Sequence, residues 1–88
     1  MANLAYKSIR TNGDYVDLAQ TLGITFEEGK TYQIQLLSAA VVIISDEKPK
    51  EGGFFIIDSK PFGYKHTGSK LWLKVVDKRA VEVNVAEG

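Results

Sequence analysis

From residue 31 onward, hydrophobic and polar positions alternate. In TYQIQLL, residues 31–37, Tyr32, Ile34 and Leu36 fall on one side and Thr31, Gln33 and Gln35 on the other. AVEVNVA, residues 80–86, sets Val81, Val83 and Val85 against Glu82 and Asn84 in the same way. A period of two is that of a strand with one covered face, so both read as half-buried antiparallel strands. AAVVIIS, residues 39–45, and GFFIID, residues 53–58, are continuous apolar runs, too short for helices and rich in β-branched or aromatic residues. They read as strands covered on both faces. GSKLWLKV, residues 68–75, sends Leu71, Leu73 and Val75 to one face and Lys70, Trp72 and Lys74 to the other.

Turn signals separate these strands: EEGK at 27–30, DEKPKEGG at 46–53, SKPFGYKHTGS at 59–69 and VDKR at 76–79. Strands spaced by about ten residues mark a sandwich or barrel. The N-terminal third is less regular. AYKSI predicts a further strand, TNGD a turn, and DYVDLAQTLGI a single helical turn capped by Asp14 or Asp17 and ended by Gly23. The expectation is therefore one all-β domain over residues 1–88, a small antiparallel sandwich or barrel with at most one short helical turn near the N-terminus.

Two packed sheets cover only their inner faces, so one layer of apolar side chains is left over. The surplus comprises an alternate face of VVII, an alternate face of FFII with Phe54 and Phe55, and Trp72. Leaving such side chains in water forgoes several kcal/mol at about 25 cal/mol per Å2, comparable to the whole stability of a domain this small. Self-association would cover them, and for Trp72 the alternative is a twist or bulge of its strand that lets the ring cap the edge of its own core.

Composition narrows the chemistry. The 88 residues include no cysteine, which excludes disulfides and thiolate chemistry, and no apolar run approaches the length of a membrane span. The N-terminus MANLAYKSIR lacks an export pattern, so a soluble protein made in a reducing cytoplasm is expected. Eleven basic and eleven acidic residues cancel, but unevenly: residues 11–29 carry Asp14, Asp17, Glu27 and Glu28 without a base, and residues 60–79 carry six bases against Asp77. Unless folding interleaves these segments, the molecule has an acidic part and a basic part suited to head-to-tail contacts.

No active site assembles along the chain. His66 is the only histidine and is expected in an exposed loop without metal-ligating neighbours, and the adjacent Glu27 and Glu28 belong to a solvated turn. No enzyme, cofactor or metal is expected. In SKPFGYKHTGSKLWLK, Phe62, Tyr64 and Trp72 interleave with Lys60, Lys65, Lys70 and Lys74. That pattern suits stacking on bases or sugars, although zero net charge speaks against nucleic acid.

Taken in order, these motifs resemble those of small structural proteins of tailed bacteriophages. The shared pattern is an Asp-Leu and Leu-Gly opening, a G-x-x-Y-x-I-Q strand, an apolar strand before a proline turn, then G-x-x-L-W and a closing V-x-V-x-E. Here it falls on Asp17, Leu18, Leu22, Gly23, Gly29, Tyr32, Ile34, Gln35, Pro49, Gly68, Leu71, Trp72, Val83, Val85 and Glu87. The chain departs from it by running through LLSAAVVII without a small polar break. The resemblance implies a jelly-roll-like sandwich located in the virion, a capsid decoration or cement protein or a neck or tail component. It implies a homo-oligomer, trimers included, seated on a major capsid, neck or tail protein, with no membrane partner. The expected interface residues are Trp72, Lys70, Lys74, Phe54, Phe55, Phe62 and Tyr64. A glycan-binding adhesion module of a phage tail or fibre is the alternative, and a nucleic-acid-binding small barrel the third reading.

Overall fold

The computed structural model describes residues 3–11, 13–75 and 80–88, so the turn expected at 76–79 lies outside the described residues. Its elements are β1 (Asn3–Ile9), β2 (Val16–Asp17), α1 (Leu18–Leu22), β3 (Thr31–Leu36), β4 (Ala40–Ser45), β5 (Phe54–Ile56), β6 (Phe62–Lys65), β7 (Lys70–Val75) and β8 (Val81–Glu87). The alternating segments form the strands expected of them, and their inward sets are buried: Tyr32, Ile34 and Leu36 on β3, Leu71, Leu73 and Val75 on β7, and Val81, Val83 and Val85 on β8. The apolar run through residues 36–44 is broken after all. Leu37 to Ala39 form the connection between β3 and β4, leaving Leu37 exposed.

Two four-stranded antiparallel sheets result, in the orders β1-β8-β3-β6 and β2-β7-β4-β5. The first strand pairs with the last, the second with the second-last, and so inward to β4 with β5. The chain is thus one long doubled ribbon, rolled so that β8 also meets β3 and β7 also meets β4. That is the winding of an eight-stranded jelly roll. Side chains from both sheets, among them Ile34, Val42, Leu73 and Val83, fill a single core.

The helical turn is placed as the sequence requires. Asp17 caps α1 by accepting from the Gln20 N–H at 3.3 Å, and Gly23 ends it in the left-handed region at φ 74. Ile24 N–H returns to the Ala19 carbonyl at 3.0 Å, and Leu18 is fully buried in the core.

One segment read as a turn contains a strand. Phe62–Lys65 pairs with β3, Tyr64 opposite Tyr32 and Phe62 opposite Ile34. Glycine and proline in SKPFGYK hide it from a periodicity reading, and an edge strand tolerates both. The unexpected pairing closes an aromatic cluster in which Phe26 meets Tyr32 and Tyr64 edge-on at 4.8 and 5.3 Å.

Gly53 carries a strict backbone demand. Its φ is 112, and a Cβ there would lie 2.6 Å from the Val42 carbonyl oxygen and 2.8 Å from Val41 Cγ1. Gly53→Ala is expected to cost about 1–3 kcal/mol, because neither the conformation nor the contact can relax without moving β4. Gly23→Ala, at a positive φ with open space around it, should cost only about 1 kcal/mol. Urea unfolding of the two variants checks the order, and equal losses would show that Gly53 does not approach β4 this closely.

Candidate interaction surface

The outer face of the β2-β7-β4-β5 sheet holds Trp72, and here the sequence expectation is corrected. Trp72 does not stand free for a partner: it is 8% exposed. Its cross-strand neighbours are Asp17 and Ile43, and its indole N–H donates to the Ser45 carbonyl at 2.9 Å. Tyr15, also buried, donates its hydroxyl to the Gly52 carbonyl at 2.7 Å, and Lys48 pairs with Asp14. The segment leading into β2 and the 46–53 connection are tied together by these bonds. Gly52 and Gly53 lie against Val41 and Ile43 on the outer side of β4. The chain therefore covers much of this face with its own loops.

The two lysines flanking Trp72 serve the same arrangement. Lys70 Nζ lies 5.9 Å from the Trp72 ring centre, and Lys74 Nζ lies 5.2 Å from that of Tyr15. Lys48 and the Tyr15 backbone N–H, with Lys74 nearby, hold the Asp14 carboxyl below the ordinary carboxylate range. Strand β2 and its acidic flank pair directly with basic β7, Val16 opposite Leu73 and Asp17 opposite Trp72. Folding interleaves the segments whose charges looked separated in sequence, at least among the described residues.

Tyr64 is likewise removed from the expected interface, because it is buried beside Phe26. Burial pushes its phenol above the ordinary tyrosine range. His66 is not an exposed loop residue: it is half-buried, its Nδ1 lies 2.7 Å from Tyr64 Oη, and its ring packs 5.6 Å from Phe26. Backbone bonds from Gly29 N–H to the His66 carbonyl and from His66 N–H to the Lys30 carbonyl join this strand end to the 27–30 turn. The position is explained by packing. Among the described residues no group of three or more histidine, aspartate or glutamate side chains is placed to hold a metal ion, and no helix is long and apolar enough to cross a membrane.

Four of the seven exposed large apolar residues among the described ones lie at the far edge of the same sheet. Phe54 is 73% exposed, Phe55 56%, Ile57 75% and Ile44 49%. Phe54 pairs with Val42 and shares its inward side, but the sandwich is unclosed there. Between edge strands β5 and β6 the core opens into a groove of about 400 Å3, lined by Ile44, Phe54, Ile56, Phe62 and Tyr64 with Leu71. Phe55, opposite Val41, lies on the outward side of β5 by strand alternation. Phe54, Phe55 and half-buried Phe62 are thus brought together, whereas Trp72, Lys70, Lys74 and Tyr64 lie elsewhere or underneath. Ile44 and Ile57 belong to the patch and were not singled out by sequence. The only signal for them was the length of the apolar runs containing them.

The opposite sheet offers a contrast. On its outer side Gln33, Gln35, Asn84 and Ala86 surround a shallow hollow, and Gln35 donates to the Ser59 carbonyl at 2.8 Å. Tyr6, opposite Asn84 on β1 and 56% exposed, stands beside these amides as a single aromatic ring on an otherwise amide-rich surface.

The chain matches no family model, and no curated protein or solved structure is significantly similar to it.

Proposed function

We propose that the protein is a non-catalytic structural subunit that assembles with copies of itself through β5 and the adjoining groove. The observation that carries this is the exposure of Phe54 and Ile44 at an apolar groove, with Phe55 and Ile57 exposed along the same edge of the sheet. At roughly 200 Å2 per fully exposed large side chain, the four leave about 500 Å2 in water, at the upper end of what single-chain proteins show as their largest patch. A standard interface takes about 800 Å2 from each partner and is roughly 60% apolar, so this patch is enough for the centre of one.

Together with the sequence resemblance, this supports a virion role as a capsid decoration protein of a tailed bacteriophage, in contact with its own copies and with the shell. The glycan-binding and nucleic-acid readings needed Phe62, Tyr64 and Trp72 to present a shared stacking face. Two of these three are buried, so that platform is not formed. Light scattering over a dilution series should give a discrete oligomer at micromolar concentration that dissociates on dilution. A monomer at every concentration argues against self-assembly. For the virion role, the gene should lie among those for capsid and tail proteins, and a place in an unrelated metabolic cluster argues against it.

A further inference from the structure

The four sheet edges are treated differently. Strand β1 carries Lys7 on its inward side, opposite Val83, with its ammonium donating to the Thr21 carbonyl at the end of α1 at 2.9 Å. Strand β2 is two residues long. Strand β6 begins directly after Pro61 and ends on Lys65. An inward charge, a short strand, and proline or lysine at an edge are the usual devices that prevent edge-to-edge pairing. Strand β5 is short, but the stretch Gly52–Ile57 around it contains no charge and no proline. It is also apolar on both sides, with Phe54 at the groove and Phe55 on the outer face.

We infer that β5 is left open to pair with β5 of a second copy, antiparallel and across a two-fold axis, joining two β2-β7-β4-β5 sheets into one continuous sheet. This rests on the self-assembly proposed above and specifies its geometry. A strand that pairs with its own copy in a closed, isologous contact runs antiparallel to it. If the inner and outer faces of the two sheets are to be continuous, inward residues must oppose inward residues, because alternate residues face opposite sides. The paired residue numbers then sum to an even constant, so one residue of the strand lies opposite itself on the axis. The neighbours on either side pair symmetrically, bringing Phe55 and Ile57 of both copies onto one outer strip and each copy's Phe54 to the rim of a groove.

Because the chain has no cysteine, thiols placed singly report this geometry cleanly. Cysteine is introduced in turn at Phe54, Phe55, Ile56 and Ile57, with Ser8→Cys on the other sheet as reference, and each variant is oxidised mildly. Residues facing each other across an antiparallel pair are about 4.5–5.5 Å apart at Cα, within the range a disulfide spans. One of the four positions should give about tenfold more linked dimer than Ser8→Cys, with yields falling on either side of it. Isotope-filtered nuclear magnetic resonance on mixed labelled and unlabelled wild-type protein provides the second readout, expecting intermolecular Hα–Hα contacts within residues 54–57. An oligomer without such contacts, and without linkage above the reference at any of the four positions, overturns the two-fold pairing and leaves self-assembly standing. A wild-type protein that stays monomeric overturns both.

Discussion

Trp72→Ala should lower the stability of the isolated fold by about 3–5 kcal/mol, as removal of a buried aromatic side chain does. The indole lies between β2 and β4 on the outer face, and its loss removes that packing and the bond to the Ser45 carbonyl. A domain of this size has only about 5–15 kcal/mol in total, so the variant should lose a large share of its stability and melt well below the wild type. Leu73→Ala, at a fully buried position on the opposite face of β7, should lose about 2–5 kcal/mol. The neighbours should therefore behave alike in urea unfolding. An exposed anchor between copies would instead make Trp72→Ala nearly neutral for folding, and that outcome would show that the indole is not buried within the single chain.

The second large effect belongs to association. Phe54→Ser combined with Phe55→Ser should raise the dissociation constant of the oligomer at least about 100-fold, since each of two anchor side chains commonly contributes about 2 kcal/mol or more and tenfold corresponds to about 1.4 kcal/mol. The melting temperature of the monomer should change little, because both rings are mostly in water in the single chain. Sedimentation equilibrium with parallel thermal unfolding separates the two quantities. A large drop in melting temperature together with unchanged association would place these rings in the core and not at an interface.

Local order was legible in the sequence wherever it is set by near neighbours. The inward sets of β3, β7 and β8 follow from alternation, and the Asp17 and Gly23 caps from side-chain and backbone chemistry within one turn. The surplus of apolar side chains was also legible, because it is a count against the area two sheets can cover. Its location was not. Trp72 is buried against Asp17 and Ile43, on strands 55 and 29 residues away, on a sheet face where the Tyr15–Gly52 bond ties two loops together, and those loops carry no periodic signal. Phe54 and Phe55 remain uncovered because β5 lies at a sheet edge, and edge or centre is decided by the rolling of the whole ribbon. Strand β6 was hidden for a related reason: its Pro61 and Gly63 read as turn residues, yet an edge strand tolerates both and its register is held by Tyr64 packing on Phe26.

If copies join through the β5 edge and not through the lysine-flanked face that holds Trp72, charges placed at the two sites must act differently on assembly. Sedimentation velocity of three proteins at equal micromolar concentration distinguishes the two faces: wild type, Ile57→Lys, and Lys70→Glu combined with Lys74→Glu. Ile57 is the most exposed member of the patch, and a lysine there places a charge where the partner strand must lie. The wild type should sediment as an oligomer, Ile57→Lys as a monomer, and the protein with both lysines reversed as an oligomer still. An Ile57→Lys protein that sediments as the wild type does, with the lysine reversal producing monomers, would place the contact on the Trp72 face instead.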